Sequence, residues 1–107
     1  MSRAPSFYEQ FRVAFPAVAE HYTQLGDACR SAGPLDERTA ELVKLGMSIA
    51  AGAEGGSHSH ARRALAAGAS RAEVEQVALL GITTLGFPRS MTGLAWIRDV
   101  VDAPKKD

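Results

Sequence analysis

The sequence predicts an all-α chain of five to six helices, and three observations carry that prediction. Apolar residues recur at helical spacing, as in Val18, Tyr22, Leu25 and Cys29 at i, i+4, i+7 and i+11. Helix start and stop signals bracket such stripes: Asp36 and Ser70 as caps, Pro16 and Pro88 in first turns, and Gly52, Gly68 and Gly86 at ends. No stretch alternates apolar and polar residues between hairpin turns, so no sheet is expected.

Taken in order, Ser6 caps a short helix running to about Phe15, with Phe7, Phe11 and Val13-Ala14 facing inward. Pro16 fits the first turn of a second helix, where its missing N–H costs nothing. The cluster Ser31-Ala32-Gly33-Pro34 ends that helix. A third helix spans Glu37 to Ala51, with Leu42, Val43, Leu45, Met47, Ile49 and Ala50 implying burial on a broad face.

A turn at Gly52-Ala53-Glu54-Gly55-Gly56 folds the chain back into a fourth helix, with Ser57 as its expected N-cap and Gly68 as its left-handed stop. Small residues Ala61, Ala64 and Ala67 suit close approach to a neighbour. Ser70-Arg71-Ala72-Glu73 matches a capping box, in which serine and glutamate each satisfy an otherwise orphan backbone N–H. The fifth helix carries Val74, Val77, Ala78, Leu80-Gly81 and Leu85 and closes at Gly86. Pro88 opens the last, with Met91, Leu94, Ala95, Ile97 and Val101 on its apolar side and Trp96 at its margin. The tail from Ala103 is expected to fray.

Size and composition bound the rest. With 107 residues and an ordinary apolar fraction of 46%, a single domain over 1–107 is expected, its core about 16–102. Twelve basic residues balance twelve acidic ones, which argues against a nucleic-acid or anionic-membrane binder. The absence of a signal-like start and of a long apolar run points to a cytoplasmic protein with no membrane partner. A single cysteine, Cys29, excludes an intrachain disulfide and a CxxC pair, and reads as a small buried apolar residue.

The antiparallel third and fourth helices place Glu41 opposite His60, the one constellation with evident proton-transfer chemistry. The neighbours of Glu41 imply partial burial, and a buried carboxylate needs a partner. His58-Ser59-His60 invites a metal reading with Glu54 or Glu41. An H-x-H pair does not put both rings on one helical face, so no metal and no cofactor is expected. Ser57 and Ser59 read as first-turn residues rather than nucleophiles. Gly55-Gly56 suits either a tight turn or an anion on backbone N–H groups. His21 and Trp96 read as structural, with Trp96 a candidate for a subunit interface.

The run L-D-E-R-T-A-E-L-V-K-L, a small-residue stretch, a histidine, A-R-R-A-L-A-A-G, then A-E-V-E-Q-V and G-F-P resembles the carboxymuconolactone decarboxylase family. That family includes the alkylhydroperoxidase D-like proteins, and the resemblance covers about residues 16 to 102. It implies an all-helical bundle that assembles as a homo-oligomer, a trimer or a hexamer. The redox branch carries E-x(11)-C-x-x-C-x-x-x-H; here the glutamate falls on Glu41, the histidine on His60 and the cysteines on Ala53 and Gly56. Thiol peroxidase or disulfide reductase chemistry needs a thiolate and a resolving thiol, which alanine and glycine do not offer.

The chain is more similar to the branch nearer the decarboxylase, which lacks the cysteine pair and keeps the histidine and the G-F-P turn. The resemblance then implies a lyase-type or related step on a small carboxylated or lactone substrate, with Glu41 and His60 as the acid–base pair. Arg62, Arg63 and Arg89 are candidates to hold the substrate carboxylates, and His58 to line the pocket. Acidic residues that decarboxylases of the family carry beside the histidine are here Gly56, Ser57, His58 and Ser59. The competing expectation is a catalytically silent helical oligomer that binds a small ligand or a partner.

Overall fold

The computed structural model describes residues 6–104 as six α-helices with no strand among the described residues. They are α1 (Phe7–Ala14), α2 (Pro16–Ser31), α3 (Glu37–Ala50), α4 (Glu54–Ala66), α5 (Arg71–Gly81) and α6 (Phe87–Val101). The helices group into two compact units, one within Met1–Pro34 and one within Leu35–Asp107. The all-α expectation holds.

In the first unit, Ser6 caps α1 as expected, its side chain accepting the Glu9 backbone N–H at 3.1 Å. Pro16 opens α2. The two helices pack on each other, but Ala19 is their only buried residue. Phe7 and Val13, expected to face inward, are 83% and 84% exposed. The stripe Val18, Tyr22 and Leu25 is exposed as well, and so is Cys29, against the expectation of a buried thiol. The physical reason is that amphipathic spacing fixes where a stripe lies on a helix, whereas burial needs a facing surface. A pair as short as α1 and α2 covers little of its own.

The second unit holds the core. Leu45 and Ile49 of α3, Ala61 and Ala64 of α4, Ala69, Val74 and Ala78 of α5's approach and body, and Ile97 of α6 form one cluster. Burying each large member contributes about 1.5–3 kcal/mol. α3 and α4 are the most closely packed pair, and α6 packs on both α4 and α5. Gly93 of α6 explains how closely helices meet here: a Cβ on it would lie 2.5 Å from Ile49 Cγ2.

The broad burial expected of α3 narrows to Glu41, Leu45 and Ile49. Val43 and Met47 are 42% and 64% exposed and line a groove of about 570 Å³ between α3 and α5. On α6, Ile97 is buried and Met91, Leu94 and Val101 are half-buried, while Ala95, expected on the apolar side, is exposed.

Helix ends follow the signals, with two corrections. Asp36 accepts the Thr39 N–H at 2.7 Å, and that bond holds its carboxyl below the usual range. Ser70 and Glu73 form the full capping box, and the Ser70 backbone N–H lowers the Glu73 pKa likewise. Gly68 takes φ +101° after α4. Ser57, however, is no N-cap: α4 begins at Glu54 behind Ala53, three residues earlier. Gly52, at φ +73°, completes the reversal by itself, so the chain is helical again before Ser57. The second correction is α5, which ends at Gly81 rather than near Leu85. The Gly81 carbonyl accepts the N–H groups of Thr84, Leu85 and Gly86, which winds the chain into a turn.

Candidate functional site

The site rests on the α3–α4 hairpin. Gly56, in the first turn of α4, leaves room for α3: a Cβ there would stand 2.9 Å from Ser48 Oγ. Ser57, fully buried on the same helix, turns its hydroxyl to the Ala53 carbonyl at 2.8 Å and so occupies the interface without an unpaired donor. Ala61 and Ala64 follow at i+4 and i+7 and carry no measurable exposure. These small residues make the buried stripe of α4 and set the helix low against its neighbours.

His60 sits at the edge of that stripe, on the flank toward α3. Its Nδ1 lies 2.8 Å from Glu41 Oε2. The Glu41 side chain is 3% exposed and the His60 side chain 15%. The carboxylate is thus enclosed, while the ring keeps an edge at solvent. With Glu41 ionised, Nδ1–H donates to it and Nε2 carries the lone pair; protonated, the same Nε2 becomes the acid. A carboxylate that fixes the ring and its tautomer leaves one nitrogen to exchange a proton with a bound molecule. The expected pairing of Glu41 with His60 is present.

His58 goes elsewhere. Two residues from His60 on a helix, it faces the other flank, and its Nε2 lies 3.0 Å from Asp99 Oδ2 on α6. The H-x-H pair therefore does not converge on one point. Asp99 escaped the sequence reading because it lies forty-one residues from His58 and in no motif. Only the packing of α4 on α6 brings them together.

The three arginines separate in the same way. Arg62 and Arg63 are exposed on α4. Arg63, three residues on from His60, shares its flank, and Arg62, four on from His58, shares the other. The Arg89 guanidinium lies against the hairpin turn, where a Cβ on Gly52 would meet its terminal nitrogen at 2.9 Å. Gly52 is eleven residues past Glu41, roughly 16 Å along the helix direction. Arg89 thus stands at the turn of the hairpin, whereas His60 lies midway along α4, eight residues on from Gly52.

The positions that hold cysteines in the redox branch are here the N-cap of α4, Ala53, and the first-turn Gly56. The one cysteine of the chain is on α2, in the other unit. No curated protein and no solved structure matches this chain. The family model for the carboxymuconolactone decarboxylase family matches residues 16–99. That match runs from the start of α2 through most of α6 and takes in both members of the dyad, so the chain belongs to the carboxymuconolactone decarboxylase family.

Proposed function

We propose that this protein performs acid–base chemistry on a small carboxylated or lactone-type substrate, a decarboxylation or a related lyase or isomerase step. The observation that carries this reading is the 2.8 Å contact between a nearly buried Glu41 and a partly accessible His60. Loss of carbon dioxide from a carboxylated lactone leaves the bonding pair on carbon as a dienolate. His60 Nε2, protonated, delivers a proton to that carbon, and Glu41 stabilises the imidazolium before transfer and holds the ring after it. Arg63 is the arginine that helix register puts nearest to this flank, and a guanidinium suits a substrate carboxylate. Thiol peroxidase chemistry is disfavoured by Ala53 and Gly56 at the cysteine positions.

A second reading has its own observation. The groove between α3 and α5 is lined largely by apolar side chains, among them Leu42, Val43, Met47, Val77 and Leu85, and does not include Glu41 or His60. It suits a silent scaffold that holds an apolar ligand or another subunit. One experiment separates the two. The protein, Glu41→Gln and His60→Gln are incubated in deuterated water with a panel of carboxylated lactones and dicarboxylic acids, and followed by NMR. Product formation with solvent deuterium at the new C–H bond, lost in both variants, supports the acid–base reading. Turnover that survives His60→Gln sinks it, and an inert wild type whose His60 signals ignore every compound transfers the case to the scaffold.

A further inference from the structure

We infer that Glu54, His58 and Asp99 form a binding site for a zinc-like divalent transition-metal ion, separate from the Glu41–His60 pair. Glu54 and His58 are i and i+4 on α4, so their side chains project from one flank of the helix. Asp99 meets them from α6. One potential ligand atom from each residue lies within 4.8 Å of the other two, and His58 Nε2 stands 3.0 Å from Asp99 Oδ2. Around a tetrahedral zinc with bonds of about 2.0–2.1 Å, neighbouring ligand atoms stand about 3.3 Å apart. The His58–Asp99 distance is already near that value. Glu54 closes the remaining gap by side-chain rotation, since the residue is exposed.

The scaffold beneath the three residues is firm. α4 and α6 are packed together, and Ala61, Ala64 and Ile97 are fully buried between these and the other core helices. Two carboxylates and a neutral imidazole carry a charge of −2, which a divalent cation cancels. Among the described residues Glu54 forms no ion pair, and Arg98, next to Asp99, is turned to Glu75 at 3.1 Å. Arg62, one turn beyond His58, is the nearest cation along α4 and would have to swing clear. One imidazole with two carboxylates suits zinc, nickel or copper rather than magnesium or calcium, which prefer all-oxygen shells. Three protein ligands leave a fourth position for water or an anion, the form of an open rather than a closed structural site. His60 takes no part, because its Nδ1 is engaged by Glu41 on the opposite flank.

The test is a calorimetric titration of the full chain with zinc chloride, with magnesium and calcium chlorides in parallel, on wild type, Glu54→Gln, His58→Ala and His60→Gln. Histidine side-chain NMR is recorded at each zinc addition. The expected result is one zinc per chain, at least tenfold weaker in Glu54→Gln and His58→Ala, unchanged in His60→Gln, with no heat from magnesium or calcium and with His58 signals moving first. Asp99→Asn, an exposed change, repeats the loss if His58→Ala should perturb folding. Zinc affinity that survives His58→Ala in a folded protein, zinc shifts that appear first at His60 or His21, or binding no tighter than millimolar would each overturn the site.

Discussion

Glu41 on α3 and His60 on α4 are nineteen residues apart in the chain and meet at 2.8 Å, the carboxylate nearly enclosed and the ring at its edge. The contact has a consequence for stability as well as for chemistry. Truncating His60 to alanine removes a partner from a buried carboxylate, which costs about 1–3 kcal/mol. His60→Gln, which keeps a side chain of similar reach, is expected to cost less. Denaturant unfolding of the two variants measures the difference, and equal, negligible losses would mean that the carboxylate does not depend on His60.

The same pair sets the expected size of the catalytic effect. A positioned general acid contributes about 10²–10⁴-fold. Once a substrate is in hand, His60→Gln should lower turnover by that order, and Glu41→Gln by less, because it acts through the ring. A Glu41→Gln loss that exceeds the His60→Gln loss would reverse these roles.

Gly93 packs against Ile49, with three side-chain atoms between 2.5 and 3.0 Å of where a Cβ would stand. Gly93→Ala gains helix propensity of about 1 kcal/mol, but overpacking a core costs about 1–3 kcal/mol. A net loss of about 1–2 kcal/mol is expected, since the opposing atoms belong to a fully packed β-branched residue. The loss in Gly93→Ala/Ile49→Ala should fall well short of the sum of the two single-variant losses. Strict additivity in chemical denaturation would show that the two residues do not press on each other.

Ser90 is fully buried, and among the described residues its hydroxyl has no hydrogen-bond partner. A buried hydroxyl left unpaired is unfavourable by about 1–3 kcal/mol. Ser90→Ala removes it with little change of shape and is expected to raise the unfolding free energy by about 1 kcal/mol. A destabilised Ser90→Ala would reveal a bond that the hydroxyl makes in solution.

Two helix caps give the protein an acid-sensitive component. Asp36 and Glu73 both have pKa values lowered in the folded state, each chiefly by a backbone N–H, from Thr39 and Ser70. A carboxylate depressed on folding stabilises above its unfolded value, near 4, and that stabilisation disappears as pH falls through the folded value. The raised value of Arg71, due first to its bond with Asp102, acts only at extreme alkaline pH. Melting temperature should therefore fall from pH 5 to pH 3, less steeply in Asp36→Asn/Glu73→Gln. Identical pH profiles would exclude the caps as the source.

By itself the sequence determined the elements and one contact. Asp36, Ser70, Pro16 and Gly68 mark helix ends through local hydrogen bonding and backbone sterics, which need no tertiary partner, and so they were legible. Glu41 and His60 were legible because a hairpin of two helices nearly fixes which residues oppose each other. The early start of α4 was not, because one left-handed glycine can reverse a chain as well as a glycine-rich stretch can. Tertiary structure alone decided burial and long-range partners. It left Val18, Tyr22, Leu25 and Cys29 exposed, sent Arg89 to the hairpin turn, and set Asp99 beside His58. Periodicity records only which side of a helix is apolar; what lies against that side depends on residues far along the chain.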